Sequence, residues 1–157
     1  MKLFHTSLVS AAILLLAACG SALTPGPSPD GRWESTDNQP IPANLTRTDQ
    51  QGAVVIEVTP LDLEAPGQTL DFQVSLNTHS VDLSMDLTAL ATLKTDTGSS
   101  VQAASWNGPR GGHHVSGKLS LPATLDGKGL LQGASRLTLT IQNVGAPSRV
   151  FTWDIVR

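Results

Sequence analysis

The sequence predicts an all-β fold: a two-sheet antiparallel sandwich, immunoglobulin-like in shape, with about seven short strands. A signal peptide and a disordered tether precede it. Three observations carry the prediction. From Gly52 onward apolar and polar residues alternate with a period of two. Turn formers (Ala65-Pro66-Gly67, Asp96-Thr97-Gly98, Asn107-Gly108-Pro109, Asp126-Gly127 and Gly145-Ala146-Pro147) separate these runs. No stretch of the domain shows the 3.6-residue period of an amphipathic helix.

The N-terminal segment is a targeting sequence. Met1-Lys2 gives a positive end, Leu8 to Ala18 an apolar run, and Ala17-Ala18 small residues before a cut. The run is shorter than the roughly 20 residues that cross a bilayer. Leu16-Ala17-Ala18-Cys19, followed by Gly20-Ser21, resembles the lipobox of bacterial lipoproteins. That resemblance implies cleavage before Cys19, lipidation of its thiol, and a mature chain starting at Cys19 held in the membrane by acyl groups. In cells with two membranes, a residue other than Asp after the cysteine, here Gly20, implies the outer membrane.

Residues 19–50 read as a tether. Between Ser21 and Gly31 there are three prolines and two glycines in eleven residues, with no periodicity. Such a segment cannot bury enough apolar surface to offset the entropy of ordering. As a coil, thirty residues span about 30 Å. Trp33 and Ile41 are its two anchors for packing onto a folded domain.

Residues 51–157 form the predicted sandwich. Val54, Ile56 and Val58 define the first strand, and Leu70, Phe72, Val74 and Leu76 the second. Val81, Leu83, Met85 and Leu87 predict a third, after which Leu90 and Leu93 slip phase. A bulge or one helical turn near Thr88–Ala91 explains the slip. Val101–Trp106, Val115–Leu121, Leu137–Ile141 and Phe151–Ile155 complete the set. Phe72, Trp106, Phe151 and Trp153 are the expected core anchors.

Composition excludes several functions. The chain has 10 Lys+Arg and 13 Asp+Glu. Removing residues 1–18 deletes Lys2 alone among these, leaving nine against thirteen, a net charge of −4. A mildly acidic chain with scattered basic residues has no footprint for nucleic acid or anionic lipid. Cys19 is the one cysteine. Once lipidated it leaves no disulfide, no thiolate nucleophile and no thiolate metal ligand.

The chemistry therefore falls to histidines and carboxylates. His79 lies between two strand patterns; His113 and His114 end the glycine-rich stretch Gly108-Pro109-Arg110-Gly111-Gly112. Neutral imidazoles there make a candidate copper or zinc site, with Asp82, Asp86 or Met85 as further ligands. Neighbours on a regular strand face opposite ways, so His113 and His114 share an ion only if the loop is irregular. Ordinary loop histidines are the competing reading. The glycine stretch is not a phosphate loop, since no Lys-Ser/Thr and no helix follow. Asp71, Asp82 and Asp86 fall on polar strand faces, which reads as solvated surface rather than a carboxylate pair; Asp96 sits in a turn. No Gly-x-Ser-x-Gly elbow or other nucleophile–base pattern is present, so an enzyme is not expected.

The residues Leu70–Leu83, Ser105-Trp106-Asn107-Gly108, Gly111-Gly112-His113-His114 and Arg149–Trp153 together resemble an uncharacterised family of exported prokaryotic domains. The resemblance covers residues 52–157 and implies a joint role for His79, His113 and His114. The family pattern carries Arg after the histidine pair, where this chain has Val115. The expected function is a lipid-anchored binding or interaction domain at the cell envelope, with a copper or zinc ion as candidate ligand. A structural or assembly lipoprotein contacting another envelope protein is the alternative.

Overall fold

Alternation in the sequence becomes alternation in burial. The computed structural model describes residues 45–155. The signal peptide, Cys19, and the tether up to residue 44 with Trp33 and Ile41 lie outside the described residues.

The strands, in chain order, are β1 (Arg47–Asp49), β2 (Val54–Pro60), β3 (Thr69–Thr78), β4 (Ala91–Thr95), β5 (Ser100–Gln102), β6 (Ser105–Trp106), β7 (His114–Pro122), β8 (Thr124–Leu125), β9 (Lys128–Gly129), β10 (Arg136–Gln142) and β11 (Ser148–Asp154). One helical turn, α1 (Leu87–Leu90), precedes β4. One sheet has the order β1-β2-β3-β7-β6 and the other β11-β10-β4-β5. All their pairings are antiparallel. The expected two-sheet antiparallel sandwich is therefore present. Strands β8 and β9 form a separate ribbon on Asp126-Gly127, both at positive φ (51° and 76°), as a tight two-residue hairpin requires.

The inward sets meet across the two sheets. Val54, Ile56, Val58, Leu70, Phe72 and Val74 of one sheet and Leu93, Leu137, Leu139 and Ile141 of the other are wholly buried. Phe72 and Trp153 bridge the layers with ring centroids 5.5 Å apart, and Trp153 Nε1 donates to the Leu45 carbonyl. Phe151 is buried as expected, whereas Trp106 is only partly buried, at the rim of the core.

Four sequence expectations need correction. First, Val81–Leu87 is not a strand. Leu83 and Leu87 are buried, but the Leu83 backbone pairs with Gly111 and Gly112 of a loop rather than with a sheet. The helical turn expected near Thr88–Ala91 is α1, capped by Asp86 Oδ1 accepting from Thr88 N. Second, β4 replaces the missing strand. Third, Val101–Trp106 is two strands, because the chain changes sheets at Ala103–Ala104. Ala103 N bonds Ala91 O of one sheet and Ala104 N bonds Ser120 O of the other. Fourth, residues 45–50 belong to the fold, although they fall in the segment read as tether. Backbone pairing with β2 and side-chain bonds, not apolar alternation, hold them: Arg47 Nε donates to Thr152 O, joining β1 to the edge of the opposite sheet.

A buried cation completes the corner. Arg149 is fully buried on the inward face of β11, while its neighbour Val150 is 57% exposed. Its guanidinium donates to Val144 O, Asp49 O, Asp49 Oδ1 and Gln51 O. One side chain thus ties the β10–β11 turn to the β1–β2 hairpin.

Candidate functional site

The three histidines gather at one end of the β3–β7 pair. Asn77 of β3 stands directly opposite His114 of β7. Beyond that pair the two chains leave the sheet as loops, residues 79–86 and 107–113, and remain hydrogen-bonded to each other. Thr78 N donates to His113 O, Leu83 N to Gly112 O, and Gly111 N to Leu83 O, at 2.9–3.0 Å. Gly111 and Gly112 adopt φ of +93° and +98°, which lets the loop turn back to meet Leu83.

Side chains lock the contact. Asp82 Oδ1 accepts from Gly112 N at 2.9 Å. The Gly112 amide first, then the Ser84 hydroxyl, with the charge of His113 beside them, hold the Asp82 carboxyl below the usual carboxylate range. Asp86 caps α1 and pairs through Oδ2 with Arg110 Nη2 at 2.8 Å. That pair is exposed, so solvent screens it and it adds little to stability.

His79 and His114 come together. Their ring centroids are 6.3 Å apart with planes at 83°. Both are exposed. His114 Nδ1 lies 2.9 Å from Asn77 Oδ1. An amide oxygen only accepts, so Nδ1 is the donor, and Nε2 is the ring nitrogen turned to an outside ligand. The charge of His113 acts on Asp82. Among the described residues no group of three or more His, Cys, Asp or Glu is placed to hold a metal ion. The structure thus brings two of the three predicted histidines into ring contact.

The other candidates have structural occupations. Asp71 is not solvated surface. Its side chain is 17% exposed and its Oδ2 meets Lys118 Nζ at 2.8 Å. Burial raises its carboxyl, but the hydrogen bond from Lys118, others from Ser120 and Thr69, and the Lys118 charge outweigh burial and lower it. Asp62 accepts from Asp71 N at 3.0 Å and is pushed up chiefly by its own burial. Asp96 accepts from Ser135 N. Met85 is partly buried against the core.

Sequence reasoning missed Asn77, Asn107 and Gly117. Asn107 Oδ1 accepts from Lys118 N, and Asn107 N donates to Lys118 O, folding the Trp106–Gly108 turn onto β7. Gly117 lies beneath it, where a Cβ would stand 2.5 Å from the Gly108 backbone. Gly117→Val is expected to cost about 1–3 kcal/mol through overpacking. Chemical denaturation reads this directly, as a lower midpoint at unchanged slope.

No helix among the described residues is long and apolar enough to cross a membrane. No family model matches the chain, and no curated protein matches it. Among solved structures, a DUF4426 family protein from Pseudomonas aeruginosa superposes at TM-score 0.38 with 8% identity, over 71% of this chain and 94% of that one. The secreted protein MPT63 of Mycobacterium tuberculosis gives TM-score 0.38 and 16% identity, over 70% of this chain and 90% of that one. Likenesses this loose carry no inference about activity.

Proposed function

We propose that this chain is a lipid-anchored, extracytoplasmic interaction domain without catalytic activity. Cys19 carries the anchor, the tether lifts the sandwich off the bilayer, and the paired loops around His79, Asp82 and His114 present its binding end. The observation that carries the reading is Leu16-Ala17-Ala18-Cys19 at the end of an apolar run, with Cys19 the one cysteine of the chain. Gly20 favours the outer membrane in a cell that has one.

The binding end has support of its own. Two loops that make no sheet are nevertheless fixed to each other by backbone bonds and by Asp82. A binding surface that is already ordered loses less entropy on association.

Detergent phase partition of the full chain tests the anchor. The native protein is expected in the detergent phase and Cys19→Ser in the aqueous phase. Native protein in the aqueous phase would sink the reading.

A further inference from the structure

We propose that His79 and His114 form a two-imidazole site for one divalent transition-metal ion, Cu(II) above Zn(II), and that His113 is not part of it. The proposal rests on the loop pair being the binding end of the domain.

Spacing is the first argument. A metal–nitrogen bond of about 2.0–2.1 Å puts the ligating ring centres roughly 4.5 Å apart for a right-angled pair and roughly 6.4 Å for an opposed pair. The observed 6.3 Å lies at the wide end of that span. Rotation of two exposed side chains closes the remainder.

Preorganisation is the second. His114 sits at a defined ladder position opposite Asn77, and the Asn77 amide fixes its tautomer. Ligating histidines characteristically have their second ring nitrogen held in this way. His79 follows directly on Thr78, whose amide is bonded to His113 O and whose Oγ1 donates to Ala53 O. Both ligand-bearing backbones are therefore fixed before any ion arrives.

The donor set decides the ion. Among the described residues no third His, Cys, Asp or Glu is placed to join the two imidazoles around one ion. Two neutral imidazoles with the other positions left to water suit Cu(II), which binds nitrogen sites more tightly than Zn(II) does. An open, exposed site of this kind exchanges its ion with the surroundings.

The test is titration of the full mature chain in detergent, bearing no added histidine tag, with a Cu(II) salt alone. One Cu(II) per chain is expected, with an electron paramagnetic resonance spectrum of two imidazole nitrogens. His79→Gln and His114→Gln should each weaken binding at least about tenfold and leave a single nitrogen. Asn77→Leu should weaken it about tenfold, at the lower end for loss of a supporting shell. His113→Gln should change it less than about twofold, and Zn(II) should bind more weakly than Cu(II). Because the histidines are exposed, the metal-free variants should melt with the parent, which separates lost ligation from lost fold. Absence of Cu(II) binding, binding unaffected by both His79→Gln and His114→Gln, or a tenfold loss in His113→Gln would each overturn the site. Phase partition reads the anchor and copper titration reads the histidines, so failure of one is distinct from failure of the other.

Discussion

Arg149→Met is expected to destabilise the sandwich by about 3–5 kcal/mol, the usual consequence of removing one partner from a buried ion pair. The methionine fills similar volume but donates nothing. The carbonyls of Val144, Asp49 and Gln51 lose their donor, and the Asp49 carboxylate loses its counter-charge. Arg149→Lys recovers little, since an ammonium cannot reproduce the guanidinium fork. Domains of this size have roughly 5–15 kcal/mol in all, so the loss is a large fraction. Urea unfolding followed by tryptophan fluorescence measures it.

The same cluster makes stability depend on pH. Burial raises the Asp49 carboxyl, but the Gln51 donors and the Arg149 charge outweigh burial and lower it. A carboxyl lowered in the folded state stabilises above its unfolded pKa of about 3.9, and that contribution is lost as pH falls through the folded value. Asp49→Asn should therefore flatten the acid limb of the stability curve below about pH 4. Asp62 is raised and acts in the opposite sense, so comparing Asp49→Asn with the parent isolates the Asp49 part. An unchanged acid limb in Asp49→Asn would contradict this account of the corner.

Cys19→Ser carries the second large effect, a near-complete transfer of the protein from the detergent phase to the aqueous phase. Each buried methylene contributes about 0.8 kcal/mol, and a single acyl chain holds a protein only marginally. Two or three chains make release negligible. Replacing the sulfur removes the attachment point and with it the whole effect. The sandwich itself should keep its melting temperature, because its buried core is built from side chains between Val54 and Trp153.

Much of the fold was legible because burial follows parity. Thr69–Thr78 alternates without error, and its register against β2 and β7 follows from which face is apolar. The strand read as Phe151–Ile155 starts two residues earlier, and the same parity turns Arg149 inward and Val150 outward, which hydrophobicity alone does not suggest. Failures came where long-range partners overrode local pattern. Val81–Leu87 alternates like a strand, yet the backbone of Leu83 bonds to Gly111 and Gly112, a pairing no local window can see. Arg47–Asp49 shows no alternation, yet joins the sheet through β2 and through side-chain bonds to β11.

The candidate site was legible in part for the same reason. The three histidines stood out by residue type. Which two of them meet depends on the Asn77–His114 register, which appears only when β3 and β7 are side by side. Asn77 itself looked like an ordinary outward polar residue. Gly117 read as one small residue in an alternating run, and its need for smallness lies in the turn folded over it.

The most direct measurement is the mass of the mature chain and of its N-terminal peptide, taken from a bacterial membrane fraction. The expected result is a chain that begins at Cys19 and carries a diacylglyceryl thioether, with or without a third, amide-linked acyl chain. A mature chain beginning elsewhere, or one with Cys19 present as a free thiol, would contradict the lipid-anchored reading.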